Sequence, residues 1–136
     1  MELIKFNNVE NRIFTLRNTK VIIDSDVAEL YGVQTKEINQ AIKNNPEKFP
    51  EDYTIELTKV EKTELVKNFD HLNKLKFSSA LPKAFTEKGL YMLATILKSP
   101  QATQTTLAII EMSIKKIFTS LLDIQYANSI RPLNNY

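Results

Sequence analysis

Residues 26–43 constrain the fold of this 136-residue chain more than any other segment, because their spacing predicts two short helices joined by a tight turn. Ala28 is a small residue where two helices would approach closely, and Gly32 follows where a chain leaving a helix adopts a positive φ. Ile38, six residues beyond Gly32, would turn an apolar side chain back onto the first helix. This pattern is typical of a helix-turn-helix. An ordinary αα-corner remains open, because it uses the same spacing.

The second predicted helix leaves a polar face outside. Asn and Gln amides can pair bidentately with base edges, while Lys and Thr suit phosphates and base acceptors. This face is therefore a candidate DNA-binding surface, made of Thr35, Lys36, Asn39, Gln40, Lys43 and Asn44. The same residues would equally make the solvated face of a surface helix.

Composition limits the class of protein. A hydrophobic content of 43% and a charged content of 25% are typical of one globular domain. No apolar run approaches the roughly 18–20 residues of a membrane span, and residues 1–5 lack a signal-peptide pattern. We therefore expect a cytoplasmic protein with no membrane partner. The absence of cysteine excludes disulfides and thiolate metal sites.

Charge gives a weaker indication. The net charge of +2 is a poor argument for a polyanionic partner, but residues 58–88 carry seven lysines against four acids. A nearly neutral protein can bind DNA when its basic residues lie on one face.

The remaining segments predict an α+β fold: an N-terminal β-hairpin over 12–23, the helix-turn-helix in a winged-helix-like arrangement, a strand over 52–57 and C-terminal helices. Asp24 or Ser25 is expected to cap the first helix. Thr58 opens a helix to about residue 69, and residues 70–83 are expected to form a mobile loop with Lys74 and Lys76 exposed. Thr86 caps a helix over 87–97, and Ser99 caps a last helix over 100–123. We expect a single domain over 1–123 and a frayed tail over 124–136.

No set of residues indicates an enzyme, a metal or a cofactor. His71 is the only histidine, and one histidine cannot build the usual two- or three-histidine metal site. Asp24, Asp26 and Glu29 cluster at a helix start, where capping and the helix dipole explain acidic residues. The chain has only two glycines and shows no P-loop or nucleophile–histidine–acid set. We therefore do not expect an enzyme.

Three separated blocks, in residues 23–39, 49–58 and 83–93, resemble a phage-associated DNA-binding domain of the ORF-six N-terminal type. They read Ile23-Asp24-Ser25-Asp26-Val27-Ala28-Glu29-Leu30-Tyr31-Gly32-Val33 with Thr35-Lys36-Glu37-Ile38-Asn39, then Phe49-Pro50-Glu51-Asp52-Tyr53 with Glu56-Leu57-Thr58, and finally Lys83-Ala84-Phe85-Thr86-Glu87-Lys88-Gly89-Leu90-Tyr91-Met92-Leu93. This type is grouped with the KilA-N and Bro-N domains, and the resemblance covers roughly residues 10–97.

The resemblance implies sequence-specific binding of double-stranded DNA by a regulator derived from a phage or mobile element. By family position, Thr35, Lys36, Asn39 and Lys43 fall on the recognition helix. Some relatives are antirepressors, so a module that binds a phage or host repressor instead of DNA is the alternative.

The last predicted helix carries an apolar stripe that predicts a homodimer. Its members are separated alternately by three and four residues, as in a coiled-coil seam. They are Leu107, Ile110, Ile114, Ile117, Leu121 and Ile124. The stripe could also cover the domain's own core, so the dimer stays one of two interpretations.

Overall fold

The structure is a computed structural model that describes the backbone of residues 9–134 and the side chains of residues 9–124. Short strands alternate with helices in a mixed, mostly helical fold. The elements are β1 (Phe14–Leu16), β2 (Thr19–Ile23), α1 (Asp24–Tyr31), α2 (Thr35–Asn44), a 3₁₀ turn (Pro46–Lys48), β3 (Thr54–Glu56), α3 (Lys59–Asn68), a 3₁₀ segment (Asp70–Phe77), β4 (Lys83–Phe85), α4 (Glu87–Leu97) and α5 (Pro100–Asn134).

The four strands form one antiparallel sheet in the order β1-β2-β4-β3. The predicted N-terminal hairpin is confirmed, with Phe14 opposite Val21. Its turn residues Arg17 and Asn18 have φ values of 50° and 65°. Positive φ at both central residues matches the twist of the two strands, as in type I′ hairpins.

The strand predicted over 52–57 is confirmed over Thr54–Glu56, but it does not pair with the hairpin directly. β4 lies between them and pairs with both β2 and β3. The prediction of a mobile loop over 70–83 is therefore wrong. These residues hold a 3₁₀ segment, whose Leu72 is buried, and the first residue of β4. Lys74 and Lys76 are exposed as predicted.

Alternation along the strands places the sheet between two apolar clusters. Ile22 and Phe85 belong to one cluster, which includes residues of α1, α2, α4 and α5. Val21, Ile23 and Ala84 belong to the other, which includes Leu65 of α3 and Leu72. Because β2 is covered on both faces, its sequence is a continuous apolar run.

The predicted helix pair of residues 26–43 is confirmed. Gly32 follows α1 with φ 69°, and the amide N–H of Val33 donates to the carbonyl of Ala28 at 2.9 Å. Ala28 and Ile38 are buried, so the small residue and the apolar residue lie in the core as expected. The helix caps predicted at Thr58, Thr86 and Ser99 are also confirmed.

Two helix boundaries differ from expectation. Neither Asp24 nor Ser25 caps α1, because Asp24 is already its first residue and Ile23 occupies the capping position. We expected the last helix to end near residue 123 and a frayed tail to follow, but α5 continues to Asn134. Residues 119–131 contain neither glycine nor proline, so the helix meets no breaker before Pro132.

Side chains at the start of α5 donate hydrogen bonds to the last carbonyl groups of α1. The Oγ1 of Thr105 donates to the carbonyl of Leu30 at 2.8 Å, and the Oγ of Ser99 donates to that of Tyr31 at 3.2 Å. Gln101 donates to the carbonyls of Glu29 and Leu30 at 3.3 and 3.2 Å. The last carbonyls of a helix lack partners within it, so these side chains satisfy the end of α1 and fix α5 against it.

Candidate nucleic-acid interface

The outer face of α2 carries the candidate DNA-binding residues. Lys36, Gln40, Lys43 and Asn44 are exposed, while Thr35 and Asn39 are half-buried. The inner face is formed by Ile38 and Ala41, which lie in the core. The polar and apolar faces of α2 are therefore separated as the sequence indicates.

The lysines of α2 are free of carboxylate partners. Among the side chains of residues 9–124, neither Lys36 nor Lys43 forms an ion pair. The acidic residue of this helix is Glu37, whose Oε2 accepts from the backbone amide of Gln34 at 2.9 Å. Its carboxylate thus caps the first turn of α2. Two cations and two exposed amides, those of Gln40 and Asn44, remain available on this face for an anionic or hydrogen-bonding partner.

Asn39 differs from the other polar residues of α2, because it faces Asp24. The Asp24 carboxyl group is buried, and burial raises its pKa. The amides of Lys83 and Ser25, the Asn39 side chain and the charge of Lys83 oppose that rise. The Oδ1 of Asn39 is itself buried without a hydrogen-bond partner. Asn39 therefore links α2 to the first residue of α1, a contact that spacing along one helix could not reveal.

The acidic residues at the start of α1 make tertiary contacts instead of caps. The Oδ2 of Asp26 lies 2.9 Å from the Nε2 of His71, and its Oδ1 lies 3.3 Å from the Nη1 of Arg12. Arg12 also pairs with Glu29 at 3.2 Å, and this contact lowers the pKa of Glu29. Sequence analysis missed this cluster, because its members are up to 59 residues apart. Within the described residues, no group of three potential ligands could hold a metal ion.

The predicted seam of α5 lies largely in solvent. Ile110 is half-buried, whereas Leu107, Ile114, Ile117, Leu121 and Ile124 are between 54% and 61% exposed. A different set of residues faces the domain, namely Ala102, Thr105, Ala108 and Ile109. The stripe is thus not used to cover the domain's own core.

A family model described as the ORF6N domain matches residues 11–96. The chain belongs to the ORF6N family. The matched residues extend from just before β1 to the last turn of α4, so α5 lies outside the ORF6N match. No curated protein and no solved structure matches the chain. Over the described part of the chain, no helix is sufficiently long and apolar to cross a membrane.

Proposed function

We propose that this ORF6N protein binds double-stranded DNA sequence-specifically through α2, with α1, Gly32 and α2 acting as a helix-turn-helix. The observation that carries the proposal is the exposed polar face of α2, whose lysines have no acidic partner among the described side chains. A helix of this kind reads base edges in the major groove, which is wide enough to admit it.

Within this face, Gln40 is the principal base reader and the lysines contact phosphates. Gln40 is exposed, and a glutamine amide can donate to and accept from adenine at once. Asn39 is turned towards Asp24, so it holds α2 in place beside the bases. Lys36, Lys43, Thr35 and Asn44 surround Gln40 and suit the flanking phosphates and sugars.

The resemblance of three sequence blocks to phage-associated domains supports a regulator of phage or mobile-element origin, related to the KilA-N and Bro-N groups and acting in the cytoplasm. In this reading the β1–β2 hairpin corresponds to the wing of a winged-helix domain. The exposed stripe of α5 supports a homodimer, because two copies would cover each other's apolar residues. Dimers bind two half-sites, which compensates for the modest charge of each α2 face.

The test begins with selection of a preferred duplex from random sequences. Gln40→Ala should then weaken binding to that duplex by about 1–3 kcal/mol and relax the preference at one base pair. Lys43→Ala should weaken binding to all duplexes alike, and the slope of log affinity against log salt should become shallower by about 1.

Lys115→Ala is the matched control for Lys43→Ala, since it removes one exposed lysine from α5 instead of α2. It should leave both affinity and slope close to those of the parent. If the Gln40 and Lys43 variants bind duplexes with the affinity and salt dependence of the parent, α2 is not the DNA-binding element. Co-purification with a repressor, without any duplex binding, would favour the antirepressor alternative.

A further inference from the structure

The layer on the other side of the sheet from α2 contains a second basic surface. A groove of about 920 Å³ runs between α3 and the 3₁₀ segment that follows it. Its lining includes four lysines and one acidic residue, Asp70. We name this surface, formed by Lys59, Lys62, Lys67 and Lys76, the lysine groove.

Helix periodicity brings the lysines of α3 together. Lys59, Lys62 and Lys67 stand at positions i, i+3 and i+8, with Thr63 and Val66 between them on the same face. The distance from the first of these lysines to the last is about 12 Å along the helix axis. Such a row matches an extended polyanion better than a single small anion.

The acidic residues of α3 do not neutralise this face. Glu61 is turned to Arg17, whose Nη2 and Nε lie 2.8 and 2.9 Å from its carboxylate. Arg17, together with the backbone amide of Thr58, lowers the pKa of Glu61 to about 2. Glu64 is exposed and does not line the groove. Among the described side chains, none of the four lysines of the groove forms an ion pair.

The groove is connected to the middle of α2 through a short segment of backbone and the side chain of Asp24. Leu81 lines the groove, and two residues later the amide of Lys83 donates to the Oδ2 of Asp24 at 3.3 Å. Asp24 in turn contacts Asn39 of α2. Two residues of chain span at most about 7 Å, so Leu81 at the rim is joined to α2 through only Lys83 and Asp24.

We propose that the lysine groove binds the phosphate backbone of the DNA duplex beside the base pairs contacted by α2, an inference that rests on the proposed function. The lysines and the contact with α2 through Asp24 favour phosphates of the same duplex as the occupant. Besides lysines the lining offers the polar side chains of Thr63, Asn73, Ser78 and Ser79. Phosphate oxygens accept hydrogen bonds from such groups.

The test compares two triple variants that remove the same charge. The groove variant is Lys59→Gln, Lys67→Gln and Lys76→Gln, and the control is Lys88→Gln, Lys98→Gln and Lys115→Gln. All six residues are exposed, so both variants should fold, which circular dichroism and thermal unfolding would verify. Lys62 is kept, because its Nζ donates to the carbonyls of Ser78 and Ala80 and so supports the rim of the groove.

Affinity for a random-sequence duplex is measured over a range of salt concentrations. Each phosphate contact contributes a slope of about 0.9, so the groove variant should show a slope shallower by about 2–3. At 0.1 M salt this corresponds to roughly a fivefold to tenfold loss of affinity for each contact. The control variant should change the slope by less than 1. In ethylation interference, ethylation of phosphates at the edge of the site should weaken binding of the parent. It should not weaken binding of the groove variant.

Three outcomes would overturn the proposal, and they can be told apart. If the groove variant keeps the parent slope while Lys43→Ala has a shallower one, the groove does not contact DNA. The proposed function of α2 would then be unaffected. If both triple variants lose the same affinity and slope, the loss reflects the lower net charge of the protein and not a contact made by the groove. If the parent binds no duplex, the proposed function fails; heparin elution at lower salt for the groove variant alone would then point to another polyanion or an acidic protein.

Discussion

Replacing Gly89 by alanine should destabilise the fold more than any helix-propensity argument suggests. Gly89 lies in the first turn of α4, where a Cβ atom would come within 2.0 Å of the carbonyl oxygen of Tyr53. Real Cβ contacts stay beyond 3.0 Å, so the two backbones must separate by about 1 Å. That oxygen accepts from the amide and the Oγ1 of Thr86, both at 3.1 Å.

A shift of this size would break both hydrogen bonds, each worth about 1 kcal/mol. Overpacking lowers the free energy of unfolding by a further amount of about 1–3 kcal/mol. The higher helix propensity of alanine raises it by about 1 kcal/mol. We therefore expect Gly89→Ala to lower the free energy of unfolding by about 2–4 kcal/mol. The melting temperature should fall by about 8–16 °C at roughly 4 °C per kcal/mol.

Thermal and urea unfolding followed by circular dichroism measure this effect. The matched control is Lys88→Ala, which changes the adjacent exposed residue of the same helix and should shift the melting temperature by no more than about 2 °C. A Gly89→Ala protein that unfolds within about 0.5 kcal/mol of the parent would refute the reasoning. In that case the contact between α4 and the Tyr53 carbonyl would not be close enough to constrain the residue.

The elements with local signals were predictable from the sequence. The turn at Gly32, the capping box at Thr58 and the Ser99-Pro100 start of α5 each specify structure within three or four neighbouring residues. β4 was not predicted, because three residues give no alternation and their strand conformation depends on pairing with β2 and β3. The 3₁₀ segment was missed for a similar reason, since Leu72 is buried only by contacts with distant residues.

The candidate interface likewise contains features set by local sequence and features set by distant contacts. Helical periodicity predicted that Lys36, Gln40 and Lys43 would be exposed, and they are. The orientation of Asn39 could not be predicted, because it depends on Asp24, fifteen residues earlier, being buried under the start of β4. Polar residues whose partners are distant in sequence therefore need the fold before a role can be assigned.

The contacts between α1 and α5 connect the two halves of the proposed function. Gln101 and Thr105, at the start of α5, bind the carbonyls at the end of α1, and Gly32 then leads directly into α2. A partner bound to the exposed stripe of α5 would therefore fix the position of α2 through a short, hydrogen-bonded connection. Dimerisation would in this way set the distance between two α2 helices, which determines the spacing of the DNA half-sites.

Two further predictions concern the α5 dimer and the buried carboxyl group of Asp24. If α5 mediates a homodimer, sedimentation should give a mass near twice 15.7 kDa, and Ile114→Lys with Leu121→Lys should yield folded monomers with reduced affinity for the selected duplex. Thr119→Lys, which adds one positive charge at an exposed polar position of α5, should remain dimeric; a parent that is monomeric at high micromolar concentration would contradict the dimer. For Asp24, burial raises the pKa above 3.8, so the folded state binds its proton more tightly than the unfolded state does. This carboxyl group therefore costs stability as pH rises from about 4 through the folded pKa. Asp24→Asn removes that cost, so the stability of the variant relative to the parent should increase over the same pH range in urea unfolding. A difference between the two proteins that stays constant with pH would show that Asp24 titrates alike in both states.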